Sequence, residues 1–269
     1  MGQIRGMRLP PLLLSLVMGL SPLPATADLP DIAARLADHP AVPGAAVGWV
    51  TAQDRALAVA GLRRAGAQAR VAEGDLWHIG SLTKSMTATL AARMVEADRL
   101  RWDSTVGEVL GPQHPGMAAA WRDITLEELL RHASGMRANP GLLTRLWQRD
   151  PPRATYVAGM LAGRPAGPRG GFLYSNAGYV VAGAMLEAVG GAPWEEMIAR
   201  EVFAPLGLDS AGVGPPEGDQ PRGHRGGLFG GLRAVAPGPR ADNVPALGPA
   251  GRVHLSADDM LRYLREHLL

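Results

Sequence analysis

The most constraining feature of the sequence is the stretch from Ser81 to about Leu100, where Leu82, Met86, Leu90 and Met94 recur at every fourth residue. That spacing predicts an α-helix, and between Ser81 and Ala92 its only charge is Lys84. Ala88, Ala91 and Val95 make even the Lys84 side apolar, so the helix belongs inside a core rather than along a surface. A chain that buries such a helix needs layers on every side of it. The 269 residues, 46% hydrophobic and 19% charged, supply one large domain or two closely packed lobes.

Proline, glycine and capping residues punctuate the rest. A short helix runs from Asp31 to Asp38 and is ended by Pro40 and Pro43. Two apolar runs, Gly44 to Thr51 and Ala56 to Gly61, are separated by four turn residues and predict an antiparallel hairpin. Thr125 and Glu128 form a capping box that opens a helix to His132, stopped at Ser134-Gly135. Further helices are predicted from Ala177 to Val189, Trp194 to Phe203, and Ala257 to Leu269, the last capped by Ser256. The Gly- and Pro-dense stretch from Gly207 to Gly251 predicts a long surface loop with room for one strand. Helices outnumber strands and do not alternate with them, which favours α+β over a doubly wound α/β sheet.

Charge and cysteine content narrow the function classes. Of 27 basic residues, 26 are arginines scattered along the chain, and the net charge is only +2. No basic stripe results, so nucleic acid is not an expected partner. Without cysteine there is no disulfide, thiolate site or lipid-modified cysteine. The seven histidines include no H-E-x-x-H pair, and no metal or other cofactor is implied. At the N-terminus, Arg5 and Arg8 precede an apolar run from Leu9 to Leu20, followed by Ala25-Thr26-Ala27. This pattern predicts a secretory signal peptide at residues 1–27 and a periplasmic or secreted domain at 28–269, with no membrane contact after cleavage. The run is too short, and too interrupted by Pro10, Pro11 and Ser15, for an anchor of about 20 apolar residues. Oligomeric state leaves no mark in the sequence.

The only lysine in the chain, Lys84, lies one helical turn after Ser81, so the two side chains share a face. A serine hydroxyl becomes a useful nucleophile when a neighbour takes its proton, and a lysine amine does so when desolvation lowers its pKa. Arginine cannot, since it stays protonated. Ser81 at the helix start also places developing negative charge at the positive end of the helix dipole. The bland alternative is that Ser81 caps the helix while Lys84 snorkels to water. A second element is Tyr174-Ser175-Asn176, placed after Gly170-Gly171 and just before a helix. Its phenol suits proton relay beside an ammonium, and its carboxamide suits donation to a substrate oxygen. A tyrosine at a helix start also serves commonly as a packing residue.

Taken in order, Gly80-Ser81-Leu82-Thr83-Lys84, Ile124-Thr125-Leu126 through His132-Ala133-Ser134-Gly135-Met136, and Tyr174-Ser175-Asn176-Ala177-Gly178-Tyr179 resemble the landmarks of the serine beta-lactamase and penicillin-binding protein superfamily. Within it the chain is most similar to class C beta-lactamases and their esterase and D-Ala-D-Ala peptidase relatives. Gly248-Pro249-Ala250-Gly251 followed by His254-Leu255-Ser256 resembles a late segment of that branch, and the likeness runs from about Pro43 to the C-terminus. The resemblance implies an antiparallel sheet flanked by helices beside a mostly helical lobe. It also implies a hydrolase acting through an acyl-serine on a small-molecule or peptide substrate with an ester, amide or beta-lactam carbonyl. Ser81 is then the nucleophile, Lys84 its base partner, Tyr174 the relay to the leaving group and Asn176 a substrate-orienting donor, with the Ser81 N–H as half of the oxyanion hole.

One family motif has no counterpart. The Lys-Thr-Gly or His-x-Gly strand is expected beyond the helix with which this sequence ends, and His224-Arg225-Gly226, in a Gly/Pro-rich stretch ahead of Gly248, is expected to be a surface turn. The resemblance therefore implies a C-terminally truncated member whose first hairpin lacks partner strands. Two further functions stay open at this point: a noncatalytic binding or sensor module that keeps the pocket, and an inactive fragment.

Overall fold

In the computed structural model, which describes residues 28–139, 152–227, 231–238 and 241–269, helix α1 (Leu29–Ala37) leads into the predicted hairpin, β1 (Gly44–Val50) and β2 (Arg55–Gly61). The register pairs Gly44 with Gly61 and Trp49 with Ala56. Thr51 Oγ1 closes the turn by accepting from the N–H groups of Gln53 and Asp54. A short strand, β3 (Leu76–His78), then delivers the chain to a 3₁₀ turn at Gly80–Leu82 and into α2 (Thr83–Glu96). The leader predicted at residues 1–27 lies outside the described residues.

After α2 come three short helices, α3 (Val106–Leu110), α4 (Ala119–Arg122) and α5 (Leu126–Leu130). Both members of the Thr125–Glu128 capping box are formed, and Thr105 with Glu108 makes a second one. Helices α6 (Arg153–Leu161), α7 (Asn176–Gly190) and α8 (Trp194–Ile198) follow, the last running on into a π-turn at Ala199–Phe203. The core forms around α2 and α7: Met86, Leu90 and Met94 meet Val180, Val181, Met185 and Leu186, all essentially inaccessible, with Trp121 and Trp194 completing the cluster. At Gly183 a Cβ atom would come within 2.4 Å of the Pro249 ring, so only glycine lets α7 approach that segment.

The stretch from Gly207 to Gly251 is not the surface loop its composition predicts. It contains β4 (Gly212–Val213), a small hairpin of β5 (His224–Gly226) and β6 (Leu232–Ala234), and a helical turn, α9 (Gly248–Gly251), whose four residues are all buried. The expected turn at His224-Arg225-Gly226 is a strand, with His224 opposite Ala234, and the His224 ring accepts from the Ala65 N–H. Glycine and proline here permit close approach between segments rather than exposure. Strand β7 (Val253–Ser256) pairs antiparallel with β3 on one side and β4 on the other, and α10 (Ala257–Arg265) ends the chain's helices with Ser256 as its N-cap. The architecture is α+β with antiparallel sheets, and the β1–β2 pair forms a sheet separate from β3-β7-β4. Among the described residues no helix is long and apolar enough to cross a membrane.

Candidate active site

Two elements carry the site. The first is the entry to α2, where β7 and α9 are tied to the helix through its few polar side chains. Thr83 Oγ1 accepts from the Val253 N–H at 3.0 Å, and Thr87 Oγ1 donates to the Pro249 carbonyl at 2.8 Å. Lys84 lies between these two threonines and is 6% exposed. The snorkelling alternative is therefore not what the fold adopts. Its Nζ donates to Ser81 Oγ at 3.2 Å, to Asn176 Oδ1 at 2.7 Å and to the Ala250 carbonyl at 2.6 Å. Burial pushes the ammonium below the usual lysine value, with the Tyr174 phenol working in the opposite sense.

The second element is the start of α7. Ser175 caps it, accepting from the Gly178 N–H at 2.8 Å while donating to the Arg137 carbonyl at 2.7 Å. Asn176 is the first helical residue, and both ends of its amide are used within the protein. Lys84 donates to Asn176, so Oδ1 faces it, and Nδ2 donates to Asn139 Oδ1 at 2.7 Å. The donor that sequence reasoning assigned to substrate is thus occupied by Asn139.

Two phenols flank the ammonium, and their surroundings differ. Lys84 Nζ is 4.9 Å from the centroid of the Tyr174 ring and 5.4 Å from that of Tyr179. Tyr179 is buried and donates to the Leu130 carbonyl. Burial, aided by Tyr174 and Tyr263, pushes its pKa up to about 12. Tyr174 is 40% exposed. Burial would raise it too, but its interactions with Lys84 and Ser81 outweigh that and hold it below the usual tyrosine value. Of the two phenols, Tyr174 is therefore the one better suited to give up a proton.

Sequence reasoning passed over His132. It adopts φ +60° just after α5 and packs, tilted by 36°, against the Tyr174 ring with centroids 4.5 Å apart. Its Nδ1 accepts from the Ser175 N–H at 3.0 Å. Burial, with the Lys84 charge close by, holds this imidazole below the ordinary histidine value, which favours the neutral ring that an accepting Nδ1 requires. The signal available in the sequence was its place just ahead of Ser134-Gly135, where a chain leaving a helix often takes a left-handed turn. Asn139 and the Ala250 carbonyl were passed over as well, because contacts made through one amide or one backbone oxygen leave no pattern along a chain.

Ser81, Lys84, Tyr174 and Asn176 thus converge on one point, 92 positions separating Lys84 from Asn176. The beta-lactamase family model matches residues 31–269, which includes every one of them. The chain belongs to the beta-lactamase family. Within that family it is 32% identical to penicillin-binding protein 4 of Amycolatopsis lactamdurans over 236 residues, covering 84% of this chain and 60% of that protein. It is 24% identical to the D-alanyl-D-alanine-carboxypeptidase/endopeptidase AmpH of Escherichia coli strain K12, covering 88% of this chain and 62% of that one. Among solved structures, a class C beta-lactamase from Rhodobacter sphaeroides superposes with a TM-score of 0.72 at 24% identity, over 88% of this chain and 64% of that one. The chain spans about three fifths of the length of the curated beta-lactamase relatives described here.

Proposed function

We propose that this member of the beta-lactamase family is an exported serine hydrolase that forms an acyl-serine at Ser81 from an ester, amide or beta-lactam carbonyl and then releases it to water. The observation that carries the reading is the coordination of Lys84. A neutral amine has two N–H bonds and one lone pair. The Asn176 and Ala250 oxygens can only accept, so they take both N–H bonds and turn the lone pair toward Ser81 Oγ, 3.2 Å away. Lys84 accepts the hydroxyl proton as Oγ attacks the carbonyl carbon, and the Ser81 N–H stabilises the resulting oxyanion. Tyr174 gives its proton to the leaving group and regains one from the Lys84 ammonium. Water attacks the acyl-serine by the reverse route, returning the proton to Ser81. Asn176 acts here by holding Lys84, and reaches substrate only if its amide leaves Asn139. The names of the relatives, a penicillin-binding protein and a carboxypeptidase/endopeptidase, support a carbonyl substrate of the peptide or beta-lactam class. The leader pattern at residues 1–27 supports export.

A second reading, a binding or sensor module without turnover, is favoured by the openness around the nucleophile: Ser81 is exposed and the neighbouring Leu82 is 58% exposed. Incubation with a fluorescent penicillin and with a fluorophosphonate separates the two. A hydrolase acquires covalent label that Ser81→Ala abolishes. Equal label on Ser81→Ala ends the claim that Ser81 is the nucleophile, and thermal stabilisation by the ligand without label decides for the binding module.

A further inference from the structure

Next to the site lies a network around one buried carboxylate, reached by the more exposed His78, that the mechanism does not use. Strand β3 ends at His78, the last ladder bond runs from the Ile79 N–H to the Val253 carbonyl at 3.0 Å, and Gly80 then turns the chain with φ +54° so that Ser81 enters the 3₁₀ turn. The His78 ring bridges that turn to a carboxylate. Its Nε2 lies 2.6 Å from Asp242 Oδ1, and its Nδ1 accepts from the Gly80 N–H at 3.2 Å. The Asp242 side chain is wholly inaccessible and is held by the Arg252 guanidinium at 2.8 Å and by the Asn243 N–H at 2.6 Å. Burial alone would raise its pKa, but the bonds from His78 and Arg252 outweigh that and keep it ionised.

An ionised carboxylate only accepts, so His78 must present N–H at Nε2. The neutral ring then has its lone pair at Nδ1, facing the Gly80 N–H. Asp242 in this way selects the tautomer that fixes the residue immediately before the nucleophile. The same stretch of chain reaches the base as well: Asn243 Nδ2 donates to the Gly251 carbonyl at 2.8 Å, and the adjacent Ala250 carbonyl accepts from Lys84.

We propose that His78, oriented by Asp242, is a positioning residue that sets the backbone at Gly80 and with it the direction of the Ser81 N–H and Oγ. This inference rests on the hydrolase reading above and names a residue pair outside the reacting groups. The critical atom is Nδ1, and two substitutions separate it from the rest of the ring. The oxygen of His78→Asn falls near the Nδ1 position and still accepts from Gly80. The amide of His78→Gln reaches toward Asp242 and leaves Gly80 without an acceptor.

The test is the rate of covalent labelling by a fluorophosphonate, together with amide hydrogen exchange at Gly80 followed by NMR in the full chain. His78→Gln should label about 10-fold to 100-fold more slowly, the size expected of a displaced reacting group, and His78→Asn should recover to within about 3-fold of the unsubstituted protein. Exchange at Gly80 should be about 10-fold faster in His78→Gln than in His78→Asn, with Ile79 unchanged in both. Equal rates in the two variants, whether both fast or both slow, overturn the proposal. If the unsubstituted protein takes no label, the hydrolase reading falls, and Gly80 exchange alone decides the positioning claim: faster in His78→Gln sustains it, equal in the two variants ends it.

Discussion

The two sides of the active-site seam are built very differently. On the helical side, α2 and α7 share one continuous buried cluster, and every group that fixes the Lys84 ammonium is anchored there or against it. On the hairpin side, the buried cluster amounts to Leu29, Ala33 and Ala58, with Val47, Trp49, Ala56 and Ala60 packed around it. Between the hairpin and α10 lies a cleft of about 420 Å³, lined by Ala46, Leu57, Ile79, Leu82, Leu255 and Leu261. Lys84 and Tyr174 do not line this cleft, whereas Ile79, two residues before Ser81, and Leu82, immediately after it, do. The contrast teaches where the chemistry comes from. On the proposed mechanism, the well-packed half sets the geometry of Lys84 and Tyr174, and the open half borders the approach to Ser81.

On the proposed mechanism, the largest effect should follow from removing Lys84 as the base. Lys84→Met deletes the proton acceptor and leaves the Asn176 and Ala250 oxygens without their donor. Lys84→Arg keeps the charge but cannot deprotonate. Both should lower the rate of fluorophosphonate labelling by about 10³-fold or more, the scale seen when one member of a catalytic unit is removed. Tyr174→Phe keeps the ring against His132 and loses only the hydroxyl. Its turnover should fall by about 10²-fold, within the range for general acid–base catalysis. Labelling of Lys84→Met within about 10-fold of the parent would detach the chemistry from the helical side.

Packing gives the next largest difference. Leu90 is wholly buried between α2 and its neighbours, so Leu90→Ala should cost about 3 kcal/mol of unfolding free energy in a urea titration. Leu57 is only partly buried and borders the cleft, where truncation opens onto existing space. Leu57→Ala should cost about 1 kcal/mol. Hydrogen exchange sharpens the point: amides of β1 and β2 should exchange through openings of lower free energy than those of α2 and α7. Equal costs at the two sites, or equal protection, would erase the distinction between the halves.

How much of this was legible in the sequence follows the same division. The four-residue spacing from Leu82 to Met94 gave α2, and Thr125 with Glu128 gave a capping box, because both signals are local and repeat at helical intervals. Ser81 and Lys84 were legible for the same reason, one turn apart, Ser81 in the 3₁₀ turn that leads into α2 and Lys84 in its first turn. Tyr174 and Asn176 could be suspected from residue type, but their meeting with Lys84 depends on tertiary packing. The stretch after Gly207 misled because glycine and proline mark both exposed loops and tight contacts between segments. At Gly183 and Pro249 they mark the second. The ring contacts of His132 and of the His78–Asp242 pair were illegible, whatever the turn signal after His132: a histidine becomes informative only when the partners of its ring nitrogens are known, and Asp242 lies 164 positions from His78.

His132 offers a smaller effect on activity with a distinct pH signature. His132→Ala removes the ring that backs Tyr174 and the acceptor for the Ser175 N–H. Turnover should drop by about 10-fold to 100-fold through misplacement of the phenol, with KM changed much less. Burial holds the folded-state pKa of His132 below its unfolded value, so the folded protein binds fewer protons there than the unfolded chain. Its contribution to stability is complete above about pH 6.5 and is lost as pH falls through the lowered folded value. Chemical denaturation of the parent and of His132→Ala across pH 5 to 8 checks the sign. The parent should lose stability on acidification more steeply than the variant, and parallel curves would show that the ring is not held neutral.

The smallest effect concerns how the hairpin is fastened. Arg55, at the start of β2, meets Asp258 in the first turn of α10 through two hydrogen bonds of 2.7 and 3.1 Å, and Asp258 also faces Arg262 one turn on. Both partners of the Arg55–Asp258 pair are more than a third exposed, so water and salt screen the attraction. A double-mutant cycle of Arg55→Ala and Asp258→Ala should give a coupling of about 0.5 kcal/mol, fading in high salt. Arg262 competes for the same carboxylate, and repeating the cycle with Arg262→Ala should strengthen the coupling. A coupling above about 2 kcal/mol would place this link in the class of desolvated ion pairs. The hairpin would then be held as firmly as the helical side, against the division drawn from its packing.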